Sequence, residues 1–184
     1  MSPESLQTSF TQSLAAMGGR AQGVPDLEAA VAYAVRLTHE MGGRTLAAPG
    51  WSQAELECIQ VAGQEAGLQV FSQDLRAQAD NIFCGFTPAN WGVAQTGTLI
   101  LDSLDEDLRL ASMLSEVHVA VLPASRLRPN LASLQDELQG LLQRPRAYLA
   151  LVTGPSRTGD IELILTMGAH GPRQVYALLL EEAA

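Results

Sequence analysis

The feature that most constrains this chain is an alternation of two kinds of segment. Stretches with helical spacing of apolar residues are followed by short runs that are almost wholly apolar. Leu6, Phe10 and Leu14 recur every four residues until Gly18 and Gly19 break the pattern. Pro25 and Asp26 open a second helix, with Leu27, Val31, Ala34 and Leu37 on one stripe and Gly42 and Gly43 at its end. Ser52 with Glu55 three residues on has capping-box spacing, which predicts a helix to about residue 66. Residues 105–114, 130–142 and 160–167 also read as helices. Residues 44–48, 68–71, 81–86, 98–101, 118–122, 147–152 and 174–180 read as strands.

Strands apolar at successive positions are covered on both faces, as in parallel sheets. The expected class is therefore α/β, a mostly parallel sheet with helices on both faces, with residues 81–180 in one sheet. Residues 1–19 are expected to form a helical appendage outside the core, 20–25 a linker, and 26–184 the α/β domain.

Several function classes are excluded by composition. There are 20 acidic residues against 11 basic ones, for a formal charge of −9, and every basic residue is arginine. Such a chain repels a phosphate backbone, so nucleic acid is not an expected partner. Without lysine it has neither a Schiff-base amine nor a Walker A loop. Cys58 and Cys84 belong to no CxxC and cannot supply the four thiolates of an iron–sulfur cluster; both are expected to be buried small hydrophobes. His39, His118 and His170 match no metal spacing, and no GxGxxG follows a strand, so no metal or cofactor is expected. No apolar run reaches 18 residues, so no membrane span is expected. The first ten residues contain Glu4 and lack a basic start and an apolar core, which makes the cytoplasm the expected location.

Three segments carry candidate chemistry. Residues 153–160, Thr-Gly-Pro-Ser-Arg-Thr-Gly-Asp, leave one apolar run and enter an expected helix. Gly154 shapes the turn, Ser156 and Thr158 offer hydroxyls, and Arg157 can grip a phosphate or carboxylate beside the free N–H groups of a helix start. The structural alternative is that Ser156 or Thr158 caps that helix and Asp160 complements its dipole. The acidic pair Asp160 and Glu162 also works against an anion. Thr96, Gly97 and Thr98 precede another apolar run and can bond a ligand oxygen, or serve as a plain polar turn. His170, followed by Gly171 and Pro172, can exchange protons near neutral pH or cap backbone carbonyls. Trp51, Phe86 and Trp91 are expected to be core aromatics.

These three segments are expected to line one cleft at a strand edge. Thr96 and Thr98 precede their strand, so they reach the same edge only if an adjacent strand runs antiparallel or the segment folds back.

Taken in order, Thr96-Gly97-Thr98, Arg109, His118-Val119, residues 154–158, Asp160 with Glu162, and Gly168 with residues 170–172 resemble the lactate utilization protein C family, whose shared unit is the LUD domain. The likeness covers residues 80–180. It implies an architecture similar to the sugar-phosphate isomerase and CoA-transferase folds. It also implies a part in oxidising L-lactate to pyruvate beside iron–sulfur partner proteins. The family usually has an acidic residue where Gln95 stands, and an amide cannot act as a carboxylate nucleophile or base. It also tends to have proline where Ser115 stands.

Three functions remain open at this point. One is an accessory component of lactate oxidation that binds an anionic small molecule and the cluster-bearing partners. Another is a stand-alone transferase, isomerase or hydrolase in which Asp160, Glu162 or His170 moves protons. The third is an oligomeric interaction module built on the apolar strand 175–180.

Overall fold

The computed structural model describes residues 2–159, 165–167 and 171–181. Among the described residues the main sheet has six strands: β1 (Arg20–Val24), β2 (Thr45–Ala47), β3 (Gln69–Phe71), β4 (Cys84–Pro88), β7 (Val117–Pro123) and β12 (Gln174–Leu180). Their order is β1-β12-β7-β4-β2-β3, and every neighbouring pair is parallel. The expected α/β class is therefore correct.

Both faces of this sheet are covered, which is why its central strands are apolar at successive positions. One face, with Val117, Val119, Val121, Tyr176 and Leu178, packs on helices α2 (Leu27–Glu40) and α3 (Gln53–Glu65). The opposite face, with Ala120, Leu122, Val175, Ala177 and Leu179, meets α1 (Pro3–Ala16), α4 (Glu106–Leu114) and a second sheet. That sheet has four strands, β5 (Trp91–Val93), β6 (Thr98–Asp102), β8 (Leu127–Arg128) and β9 (Leu149–Val152), in the order β8-β5-β6-β9. Its β6 is antiparallel to both β5 and β9.

The helices start where the local chemistry predicts. Asp26 caps α2 by accepting from the Ala29 N–H at 2.7 Å. Ser52 and Glu55 form the reciprocal capping box of α3, and Asp105 caps α4. Residues 130–142 begin with a short 3-10 turn capped by Asn130, then continue as α5 (Gln135–Leu142).

Four expectations are corrected. Residues 1–19 do not stand outside the core: Phe10 and Leu14 on α1 are fully buried against the main sheet, because this helix covers a face that would otherwise be wet. Residues 20–24 form edge strand β1, not a linker, since the backbone of even this polar segment pairs with β12. Residues 98–102 and 149–152 leave the main sheet for the second one. Leu165–Met167 is not helical but strand β11, antiparallel to β10 (Arg157–Gly159).

Strand 174–180 is apolar because β12 lies between β1 and β7 and is covered on both faces. Its apolarity gives no support to an oligomeric interaction module. Phe86 and Trp91 are buried, and Trp51 stacks on Phe86 with centroids 5.0 Å apart. Cys84 is buried as expected, whereas Cys58 on α3 is exposed, beside a groove that α3 shares with Val31 and Val35 of α2. Among the described residues, no helix is long and apolar enough to cross a membrane.

Candidate functional site

The antiparallel pairing of β6 with β9 decides where the motif residues meet. The start of β6 and the end of β9 share one edge, with Leu99 opposite Val152. Thr98 consequently faces Thr153, and their hydroxyls lie 2.8 Å apart. Thr96 continues the chain, with its hydroxyl 2.7 Å from that of Thr98. Thr98 is buried while Thr96 is exposed, so the three hydroxyls lead from the interior to the surface.

The intervening Gly97 has φ +65°, a left-handed conformation that favours glycine. A Cβ there would collide with the backbone of Leu14. The threonine turn is thus pressed onto the last turns of α1, and the Ser13 hydroxyl donates to the Gln95 carbonyl at 3.3 Å. Gln95 is exposed, and its N–H donates to the Pro129 carbonyl at 3.0 Å.

The 153–157 segment reaches the same helix end. Gly154 has φ +98°, and a Cβ there would sit 2.8 Å from the Met17 carbonyl oxygen. The Arg157 guanidinium donates to that same carbonyl and remains exposed. Among the described residues no carboxylate pairs with it. Ser156 lies against Gly171, and its N–H donates to the Pro172 carbonyl at 2.9 Å. Thr158 follows Arg157 in β10.

Thr96, Gly97, Thr98, Gly154, Ser156, Arg157 and Gly171 therefore lie along one continuous strip beside the C-terminal end of α1. Asp160, Glu162 and His170 lie outside the described residues.

The strip occupies an edge that sequence reasoning did not foresee. Gly18 and Gly19 lead into β1, Glu116 into β7, and residues 171–173 into β12. The motif residues thus gather at the amino edge of the parallel sheet, not beyond its carboxyl ends. Residues 157–159 themselves enter strand β10, so their own N–H groups are not those of a helix start. What remains is an exposed guanidinium, a line of hydroxyls and one carbonyl. Thr153 was missed in the sequence, although it adjoins the motif and the pairing register makes it the partner of Thr98.

The other histidines have structural surroundings. His39 Nε2 lies 2.8 Å from the Ala66 carbonyl at the end of α3. His118 is buried in β7, its Nε2 2.9 Å from the Thr87 hydroxyl, and burial pushes its imidazole down to about 4. Among the described residues no cluster of three His, Cys, Asp or Glu side chains is placed to hold a metal.

A parallel sheet backed by a second, mixed sheet, with these motifs on one edge, defines the class of protein. Residues 8–180 match the model of the LUD domain, and the chain belongs to the LUD domain family. It is 31% identical over 157 residues to the uncharacterized protein YkgG of Escherichia coli, covering 81% of this chain and 68% of that one. It is 30% identical to lactate utilization protein C of Halalkalibacterium halodurans, covering 57% of this chain and 47% of that one. The corresponding protein of Bacillus subtilis is 27% identical, with 57% and 45% covered. The chain thus spans about half the length of these two lactate utilization relatives. A crystal structure of a DUF162 family protein from Deinococcus radiodurans superposes with a TM-score of 0.63 at 17% identity, over 98% of this chain and 99% of that one, and so shares the fold.

Proposed function

We propose that this protein is a component of L-lactate utilization, acting with iron–sulfur partner proteins in the oxidation of L-lactate to pyruvate and binding an anionic small molecule at the amino-edge strip. The observation that carries this reading is the exposed Arg157, anchored through the Met17 carbonyl beside the Thr96–Thr98–Thr153 hydroxyls. A guanidinium held by a neutral carbonyl keeps its full charge and further donors for a carboxylate. The pathway rests on membership of the LUD domain family and on the names of the lactate utilization relatives. Oxidation of lactate releases two electrons and two protons, and in this reading the electrons pass to the cluster-bearing partners. A stand-alone transferase, isomerase or hydrolase is the alternative, and it requires turnover by this protein alone.

Calorimetric titration with L-lactate, pyruvate and inorganic phosphate tests the anion site. Arg157→Ala should weaken binding of the preferred anion by about ten- to a hundred-fold, the worth of one charge-assisted hydrogen bond. Its thermal stability should be unchanged. The pathway is tested by lactate-dependent dye reduction with the iron–sulfur proteins in the presence and absence of this chain. Turnover that is indifferent to the chain would overturn the assignment, and turnover with the chain alone would establish the alternative.

A further inference from the structure

The main sheet reverses its strand order between β2 and β4. From β2 the chain adds β3 on one side, then crosses back to place β4, β7 and β12 successively on the other. At such a reversal the connections leaving the carboxyl ends separate, and ligands of open α/β sheets bind in the crevice between them. A crevice of about 480 Å³ occupies that position. Gly50 follows β2, Pro88 ends β4, Asn90 comes two residues later, Asp102 ends β6, and Asp105 caps α4; all line it. None belongs to the motifs at the amino edge, which lies at the other end of the strands.

The polar groups here are held in place but not used up. Asn90 Oδ1 accepts from the Asp102 N–H at 2.6 Å, so the amide NH₂ is its remaining hydrogen-bonding end. Asp102 Oδ2 accepts from Arg144 at 2.6 Å, while its buried Oδ1 has no partner among the described residues. Asp105 Oδ1 accepts from the Asp107 N–H at 2.9 Å, which leaves its second oxygen. Arg109 donates to the Ser103 and Leu104 carbonyls, at 2.5 and 3.0 Å, and so fixes the lip of the crevice. Pro88, Leu104 and Leu108 supply an apolar wall.

Ligand chemistry follows from this inventory. No arginine lines the crevice, and its carboxylates repel anions. A cation is not required either, because Arg144 compensates Asp102 and the start of α4 favours the charge of Asp105. Carboxylate acceptors, an amide donor and an apolar wall together match hydroxyls carried on a compact carbon frame. We propose that the switch-point crevice binds a neutral polyhydroxylated small molecule, a free pentose or hexose, as a second site separate from the amino-edge strip.

The test is amide chemical-shift mapping of the full chain titrated with D-ribose and D-glucose, with spermidine and inorganic phosphate as controls. One of the sugars should move the resonances of Asn90, Leu104 and Asp105. Leu104→Trp, at a wall position 44% exposed, should plug the crevice and weaken that response at least about tenfold while preserving spectral dispersion. Asp105→Ser keeps a helix cap and serves as a second variant if the first misfolds; it should weaken the response as well. Arg157→Ala should leave the sugar response unchanged, which separates this site from the proposed anion site. No shift with either sugar, shifts with spermidine instead, or a sugar response undiminished in both crevice variants would overturn the proposal.

Discussion

His118 shows how one buried side chain sets a pH limit on the whole fold. It lies in the centre of the main sheet, its only bonded ring nitrogen faces Thr87, and Nδ1 has no partner among the described residues. Burial disfavours the imidazolium and pushes the group from 6.5 to about 4. The folded protein therefore holds fewer protons than the unfolded chain between those values, so this stability is present above pH 6.5 and is lost as pH falls toward 4. The loss at this residue should be about 3 kcal/mol. Urea unfolding across that range should show it, and His118→Gln should flatten the curve. The two thiols differ as sharply. Burial pushes Cys84 up to about 12, whereas Cys58 is exposed. A thiol reagent should label one cysteine per native chain and two in denaturant. Labelling of both at equal rates in the native protein would contradict this burial.

At the scale of elements, α1 joins the core to the candidate site. Phe10 and Leu14 fill the space between the two sheets, and the turns at Gly97 and Gly154 close on its C-terminal end. Phe10→Ala should cost about 3–5 kcal/mol in chemical denaturation, the usual penalty for emptying a fully buried aromatic position. Deleting residues 2–19 should yield aggregated protein, because it exposes the face carrying Leu122, Ala177 and Leu179. Gly97→Ala combines an unfavourable φ with a backbone collision, so it should lower the melting temperature and shift the Thr98 amide together with those of α1. Unchanged stability in Phe10→Ala would show that α1 packs elsewhere in solution.

At the scale of the molecule, the parallel sheet separates two chemical environments. Its amino edge carries the exposed Arg157 and the threonine hydroxyls, while its carboxyl edge carries Asn90, Asp102 and Asp105. The chain has nearly twice as many acidic as basic residues, 20 against 11, so an exposed guanidinium is a local exception to its field. Binding of an anion at Arg157 should accordingly weaken with added salt, whereas binding of a neutral sugar at the opposite edge should not. Paired titrations at low and high ionic strength would distinguish the two edges.

Local chemistry in the sequence was enough to determine most helix starts and the central strands. Ser52 with Glu55, Asp26 and Asp105 each satisfy orphan N–H groups within a few residues of themselves, so their signal is local. The apolar runs at 118–122 and 174–180 likewise declare burial on both faces. The motif residues were legible too, and an antiparallel neighbour was one of the two ways, with a folded-back segment, in which they could meet. Tertiary structure alone decided that β9 is this neighbour, that α1 is core, that Arg20–Val24 is a strand, and that Leu165–Met167 pairs with β10. The edge on which the motifs gather was decided in the same way, and so was the meeting of Asn90, Asp102 and Asp105 at the other edge. The reason is physical. Strand pairing satisfies backbone groups that every residue carries, so the partner of a short strand is set by which edge remains open when the rest of the chain has packed, and no side-chain pattern within the strand records it.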